Sequence, residues 1–198
     1  MFGDQAVAAA MIDRIVRLRY LPTTPTTRAL ISVRGVITTF LVEHPWITTA
    51  TFVSLVTIGP VVGYWLIDRP LLAKVLALAS TLPIAVLTLV PASRELAVGC
   101  ATEWDLPTFG AVELMANVVL FVPPALLLGV GFRRPLVVLL GASMVSGLVE
   151  VTQAFVTALG RSCTTNDWLA NTLGAALGAA IATLAFRLRR RANEVPRV

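Results

Sequence analysis

Five long apolar runs dominate this sequence, and they restrict the possible folds more than any other feature. Each approaches the roughly 20 residues that a helix needs to cross about 30 Å of hydrocarbon. The runs span residues 47–67, 71–90, 112–130, 136–159 and 168–186. A chain inside a bilayer must satisfy its own backbone hydrogen bonds, and a helix does so within one segment. The sequence therefore predicts an all-α, polytopic transmembrane helix bundle of about five spans.

Composition and charge agree with a membrane protein and argue against binding to nucleic acid. Apolar residues make up 57% of the chain, charged residues only 14%, and the mean hydropathy is +0.82. The formal charge is +5, but the basic residues lie where the spans end and not along one soluble face. We therefore expect the lipid bilayer as a partner and no nucleic acid.

The positions of the basic residues also predict an orientation. One set of span ends carries Arg69, Lys74, Arg133, Arg134 and the arginines between 187 and 191. Because basic loops tend to stay in the cytoplasm, we expect these ends and the C-terminus to be cytoplasmic. Residues 188–198 are then a basic cytoplasmic tail.

The first 35 residues are the least membrane-like part of the chain. They are predicted to form a basic tail or a short helix on the membrane surface. Five spans place the N-terminus outside, whereas short basic tails resist translocation. One solution is that residues 29–43 also cross the membrane. We favour the other, in which residues 1–35 are an upstream extension of the reading frame and residues 36–70 contain an additional first span.

Polar residues recur at helical spacing within two of the apolar runs. Steps of three, four and three residues place Ser143, Ser146, Glu150 and Gln153 on one helix face. In the next run Asn171 is followed at similar spacing by Gly174 and Gly178, which predict a close-packed helix face. Polar groups in hydrocarbon turn toward one another or toward a wet cavity. The predicted outward-facing polar pocket comprises Asn117, Ser143, Ser146, Glu150, Gln153, Arg161, Asp167 and Asn171.

The two cysteines lie in the links expected on the outer side of the membrane. Cys100 is within residues 91–111 and Cys163 within residues 160–167. An oxidising compartment favours a disulfide between them. The alternative is two free thiols, but free cysteines are usually buried in apolar surroundings and not placed in polar loops.

The order of these motifs resembles that of the VanZ-like family of small bacterial membrane proteins. The motifs are N-x-x-x-F-x-P from Asn117 to Pro123, E-x-x-Q at Glu150 and Gln153, then Arg161, and D-x-x-x-N-x-x-G-x-x-x-G from Asp167 to Gly178. Pro124 departs from the family, which often has a small residue there. The resemblance implies a four-helix membrane core at residues 71–187, a multi-pass protein of the bacterial plasma membrane, and an association with resistance to the glycopeptide teicoplanin.

Two interpretations compete for the polar pocket. In one, its side chains hydrogen-bond one another and only hold the helices together. In the other, Arg161 binds a phosphate or carboxylate and Asp167 orients it. Glu150 and Gln153 would then accept hydrogen bonds from hydroxyl or amide groups of the ligand.

Our leading prediction is a non-enzymatic protein that binds or shields an amphiphile or a lipid-linked cell-wall precursor, and so contributes to teicoplanin tolerance. One alternative is a membrane enzyme that uses Glu150 as acid or base. Another is a structural partner in an envelope complex. The only histidine, His44, precedes the first firm span, and no metal-ligand set is visible. We therefore predict no metal and no cofactor.

Overall fold

The computed structural model is a bundle of long helices, and it describes residues 29, 32, 35, 36, 39–89, 98–156 and 159–194. The five long helices are α1 Trp46–Leu66, α2 Pro70–Leu89, α3 Val112–Phe132, α4 Pro135–Phe155 and α5 Thr165–Glu194. Within the described residues these five helices are long and apolar enough to cross a membrane. The predicted transmembrane helix bundle is therefore confirmed. Most of the predicted N-terminal tail lies outside the described residues.

Prolines and one left-handed residue set several helix boundaries. Pro70 and Pro135 are the first residues of α2 and α4, where a missing N–H costs no helical hydrogen bond. α3 ends at Arg133, which has a φ of 56° and donates its N–H to the carbonyl oxygen of Val130 at 3.2 Å. This tight end reverses the chain into α4 within two residues.

Two helix ends differ from the sequence prediction. α4 stops at Phe155 and not at 159, and the N–H of Val156 donates to the carbonyl oxygen of Thr152 at 2.8 Å. α5 begins three residues before the predicted 168 and continues to Glu194, beyond the predicted 186. Residues 188–194 of the predicted tail are therefore helical, since arginine and alanine are good helix formers.

The centre of the bundle is the pair α3 and α5. In the most apolar 18-residue stretch of each helix, about half of the residues are buried in α3 and α5, against 11–17% in α1, α2 and α4. Gly174 and Gly178 face α3, and a Cβ atom on Gly178 would lie only 2.8 Å from the Cβ atom of Ala125. The absence of a side chain therefore lets the two helix backbones approach closely.

One end of the bundle is packed with apolar side chains and flanked by arginines. We call it the arginine end, because it carries Arg133, Arg134 and Arg187. Its core contains Leu66, Val122, Leu126, Val130, Ile181, Ala182 and Ala185. Arg189 donates to a carboxylate oxygen of Asp68 at 2.7 Å and to the hydroxyl of Tyr64 at 3.2 Å. These bonds attach the end of α5 to the turn between α1 and α2.

The opposite end, the cysteine end, is held by a covalent bridge. Cys100 and Cys163 form a disulfide with their Cα atoms 4.6 Å apart. The bridge joins two short parallel strands, β1 Cys100–Ala101 and β2 Cys163–Thr164. The predicted disulfide is therefore confirmed, and it fixes the link after α2 against the start of α5.

Candidate functional site

The packed face of α4 is polar. The buried residues of this helix are Ser146, Glu150 and Gln153, whereas its large apolar side chains, such as Leu140 and Leu148, are exposed. A soluble helix would bury its apolar face, but here lipid solvates that face and the polar face turns inward. The helix is thus attached to the bundle mainly through hydrogen-bonding groups.

Ser146 and Asn171 are hydrogen-bonded between α4 and α5. Asn171 is 5% exposed and donates from Nδ2 to the Ser146 hydroxyl oxygen at 2.9 Å. Its side-chain carbonyl oxygen Oδ1 is buried and has no hydrogen-bond partner among the described residues. Most buried polar atoms in proteins are paired, so this acceptor is exceptional.

A second pair of contacts between the same helices involves Ser143. Its hydroxyl lies 2.9 Å from that of Thr172, and its carbonyl oxygen accepts from Nε1 of Trp168 at 3.2 Å. Ser143 and Ser146 therefore both face α5, as the spacing of the polar residues predicts.

Glu150 bonds to the start of α5. Thr164 precedes this helix and acts as its N-cap, because its hydroxyl oxygen accepts the N–H of Asp167 at 3.0 Å. In a capping box the side chain at the position of Asp167 would return to the N–H of the cap residue. Here Glu150 of α4 accepts that N–H instead, with its Oε2 atom 3.1 Å from the Thr164 nitrogen.

Because Glu150 accepts the Thr164 N–H, the Asp167 carboxylate can form a hydrogen bond with α3 instead. Its Oδ1 atom accepts a hydrogen bond from Nδ2 of Asn117 at 2.7 Å. Asn117 is the first residue of the first predicted motif and Asp167 the first residue of the last, fifty positions apart in sequence. Their bond joins the central helix pair at the cysteine end.

Gln153 and Arg161 both reach the end of α2. Gln153 donates from Nε2 to the carbonyl oxygen of Thr88 at 3.3 Å, and Arg161 donates from Nη1 to that of Leu87. Carbonyl groups in the last turn of a helix have no partner within that helix. The two side chains therefore satisfy the end of α2 and attach it to the α4–α5 region.

Two hydrogen bonds join members of the predicted pocket directly, Asn117 to Asp167 and Asn171 to Ser146. The other four members bond to residues outside the set. We call the eight residues the polar cluster: Asn117, Ser143, Ser146, Glu150, Gln153, Arg161, Asp167 and Asn171. Glu150 and Asn117 each lie five residues from a helix end at the cysteine end, which is about 7.5 Å at 1.5 Å per residue. The polar cluster therefore lies inside the bundle, near its cysteine end.

The contacts of the loop after Cys100 were not anticipated from the sequence. Asn166 is buried; its Oδ1 accepts the N–H of Asp105 at 2.7 Å, and its Nδ2 donates to the Asp105 carboxylate at 3.1 Å. Thr165 is bonded to the backbone of Glu103 through both its donor and acceptor functions. The sequence does contain one indication of these contacts, the capping pattern Thr164-x-x-Asp167. It predicts that Thr165 and Asn166 lie in the first turn of a helix.

No group of histidine, cysteine or acidic side chains suited to a metal ion occurs in the described part of the chain. The polar cluster instead combines two carboxylates, three amides, two hydroxyls and a guanidinium. Such a set can donate and accept hydrogen bonds and can balance charge near a membrane surface.

A family model described as VanZ/LLP1 matches residues 78–186, which is more than half of the chain and includes the whole polar cluster. The chain belongs to the VanZ/LLP1 family. The resemblance seen in the motif order is thereby confirmed. The VanZ/LLP1 match begins within α2, so α1 is outside it. No curated protein and no solved structure matches this chain.

Proposed function

We propose that this VanZ/LLP1 protein is a non-enzymatic protein of the bacterial plasma membrane that binds the polar part of an amphiphile at the polar cluster. The amphiphile is a lipid-linked cell-wall precursor or a lipophilic glycopeptide such as teicoplanin. Binding or shielding such a molecule would raise tolerance to the antibiotic. Bilayer lipid and this ligand are the proposed partners.

The observation that carries the proposal is the unpaired Oδ1 atom of Asn171. A polar set used only for packing is expected to satisfy all its buried atoms, because an unpaired buried acceptor costs roughly 1–3 kcal/mol. Asn171 lies beside Ser146 in the middle of the polar cluster. A hydroxyl or amide donor from a ligand would complete its hydrogen bonding.

The composition of the polar cluster supports a ligand rich in hydrogen-bond donors. Its carboxylates and amide oxygens accept hydrogen bonds, and its one cation, Arg161, is already bonded to Leu87. Sugars and peptide amides offer several donors each. Both occur in glycopeptides and in wall precursors, whereas simple anions offer none.

The proposed orientation has the cysteine end outside and the C-terminus in the cytoplasm. A disulfide persists in an oxidising compartment, and the arginine end has the charge that favours retention in the cytoplasm. The polar cluster then lies near the outer surface, where wall precursors and glycopeptides are found.

The test compares the minimal inhibitory concentration of teicoplanin in a susceptible host that carries the intact chain, Glu150→Gln, Asn171→Ala or an empty vector. We expect the intact chain to raise the concentration and the two variants to lose most of the increase. Vancomycin, which is less lipophilic, should show a smaller effect. Leu148→Ala is the matched control, since Leu148 is on the exposed face of α4.

Equal abundance of all variants in the membrane, shown by blotting, is required for this comparison. If every strain has the same inhibitory concentration at equal abundance, the glycopeptide proposal is wrong. Saturable binding of teicoplanin to the purified protein in nanodiscs, weakened by Asn171→Ala, would support direct binding. Tolerance without such binding would indicate an indirect effect.

A further inference from the structure

An apolar groove lies on the side of α5 that faces α1. Its walls are formed by Phe52 of α1, Phe109 of the loop before α3, Met115 and Val118 of α3, and Leu173 and Leu177 of α5. Its volume is about 470 Å³, within the range of roughly 300–1,000 Å³ that is typical of ligand sites. The groove belongs to the cysteine-end half of the bundle.

The groove exists because α1 packs closely on α5 only toward the arginine end. A Cβ atom on Gly59 would lie 3.1 Å from Ile181, and one on Gly63 would lie 3.1 Å from Ala185. Toward the cysteine end no glycine of α1 brings the helices together, and Phe52 packs against Met115, Val118 and Ala170. Phe52 also meets Phe109 edge to face, with ring centroids 5.9 Å apart.

The groove is separate from the polar cluster. Thr172 points toward Ser143 of α4, and the next residue, Leu173, lies 100° further around the helix, on the α1 side. A ligand of one site therefore does not fill the other. Binding in the groove therefore does not depend on the proposed function.

Two carboxylates lie beyond the groove, beside Asn166 at the start of α5; we call this pair the acidic rim. Asn166 lies on the same face of α5 as Leu173 and Leu177, at steps of seven and four residues. Its buried Nδ2 atom is 3.1 Å from Asp105 Oδ2 and 3.4 Å from Glu103 Oε2. Among the described residues neither acid forms an ion pair. Asp105 is two residues from Pro107, which also lines the groove.

Hydrocarbon is the occupant that suits the walls, because they are mostly apolar and the groove runs along a helix long and apolar enough to span a membrane. The acidic rim restricts the lipid headgroup, because Glu103 and Asp105 would repel a headgroup with a net negative charge. We propose that the groove binds one acyl chain of a phospholipid whose headgroup has an ammonium group, with the ammonium beside Glu103 and Asp105. Phosphatidylethanolamine has this chemistry.

The experiment uses the purified full chain in nanodiscs that contain phosphatidylethanolamine with a photoreactive acyl chain, and cross-linked peptides are mapped by mass spectrometry. We expect cross-links at groove residues that unlabelled phosphatidylethanolamine competes away. Leu173→Trp should fill the groove and remove most of them. The matched control is Leu184→Trp, because Leu184 lies eleven residues further on the same face of α5 and does not line the groove.

A second arm tests the headgroup with phosphatidylglycerol bearing the same acyl chain. We expect about two- to fivefold preference for phosphatidylethanolamine, the size expected for an exposed charge contact. The double variant Glu103→Gln, Asp105→Asn should abolish the preference. Equal labelling by both lipids in the intact chain would overturn the ammonium assignment.

Two results would overturn the acyl-chain site itself. One is cross-linking spread evenly over lipid-facing positions and insensitive to competitor. The other is equal groove labelling in Leu173→Trp and the intact chain. If Leu173→Trp does not fold, Leu177→Phe fills the same groove and gives the same comparison.

Discussion

Glu150 shows at the scale of one residue how a carboxylate is accommodated close to the membrane surface. It lies about 7.5 Å from the end of α4 and is 7% exposed. Its Oε2 atom accepts the N–H of Thr164, a helix-start donor that the usual capping box would satisfy locally. The side chain therefore couples the end of α4 to the beginning of α5.

We predict different stabilities for two substitutions of Glu150. Glu150→Gln retains an acceptor oxygen and should change the midpoint of thermal unfolding little. Glu150→Leu leaves the partly buried N–H of Thr164 unpaired and should cost about 1 kcal/mol. Unfolding of the purified protein in detergent measures both.

The matched control is Leu148→Ala, which changes a side chain of α4 that faces lipid. It should unfold close to the intact protein. If Glu150→Leu unfolds at the same temperature as Glu150→Gln, the bond to Thr164 does not contribute to stability. A stable Glu150→Gln protein also makes its effect on teicoplanin tolerance interpretable as a loss of function.

At the scale of helices, stability depends on how closely α5 approaches α3. Lipid is as apolar as the helix surfaces, so close packing and hydrogen bonds drive their association. A Cβ atom on Gly174 would collide with the carbonyl oxygen of Val118 and lie 3.0 Å from the Cβ atom of Phe121. Both glycines of α5 are thus required by backbone proximity.

We predict opposite effects for two glycine-to-alanine substitutions. Gly178→Ala should destabilise the protein by about 1–3 kcal/mol, the usual cost of forcing extra atoms into a packed interface. Gly141→Ala on α4 meets nothing within 4 Å and should be neutral or stabilising by about 0.5–1 kcal/mol, because alanine favours helix. Thermal unfolding in the same detergent compares them; equal effects would contradict the close approach of α5 to α3.

At the scale of the whole molecule, the two ends differ in the forces that hold them. The arginine end has an apolar core and the Arg189–Asp68 ion pair. The cysteine end has the disulfide and a hydrogen-bonded loop. This polarity underlies the proposed orientation across the membrane.

Cysteine labelling in intact cells tests the orientation. We predict that Thr108→Cys, in the exposed loop at the cysteine end, reacts with a membrane-impermeant maleimide. Arg134→Cys, exposed between α3 and α4, should react only after the cells are opened. The intact chain is the blank, because both native cysteines are in the disulfide. The reverse pattern would place the C-terminus outside and remove the polar cluster from the side where wall precursors occur.

The helices and their polar faces follow from local sequence patterns. Apolar run length predicts the spans within a few residues, except that α5 continues to Glu194, eight residues beyond its apolar run. The spacing of Ser146, Glu150 and Gln153 predicts that they share a face, because side-chain direction in a helix repeats locally. Two cysteines in links expected on one side predict the bridge.

The partner of each polar side chain, in contrast, depends on how distant helices pack together. Gln153 is bonded to a residue 65 positions away and Arg161 to one 74 positions away, and no local period encodes such pairs. The groove beside α1 likewise depends on how that helix packs against α5, and its acidic rim on a loop that folds back onto Asn166. Periodicity fixes the direction of a side chain around its own helix axis, whereas its contacts depend on the placement of helices that are distant in sequence.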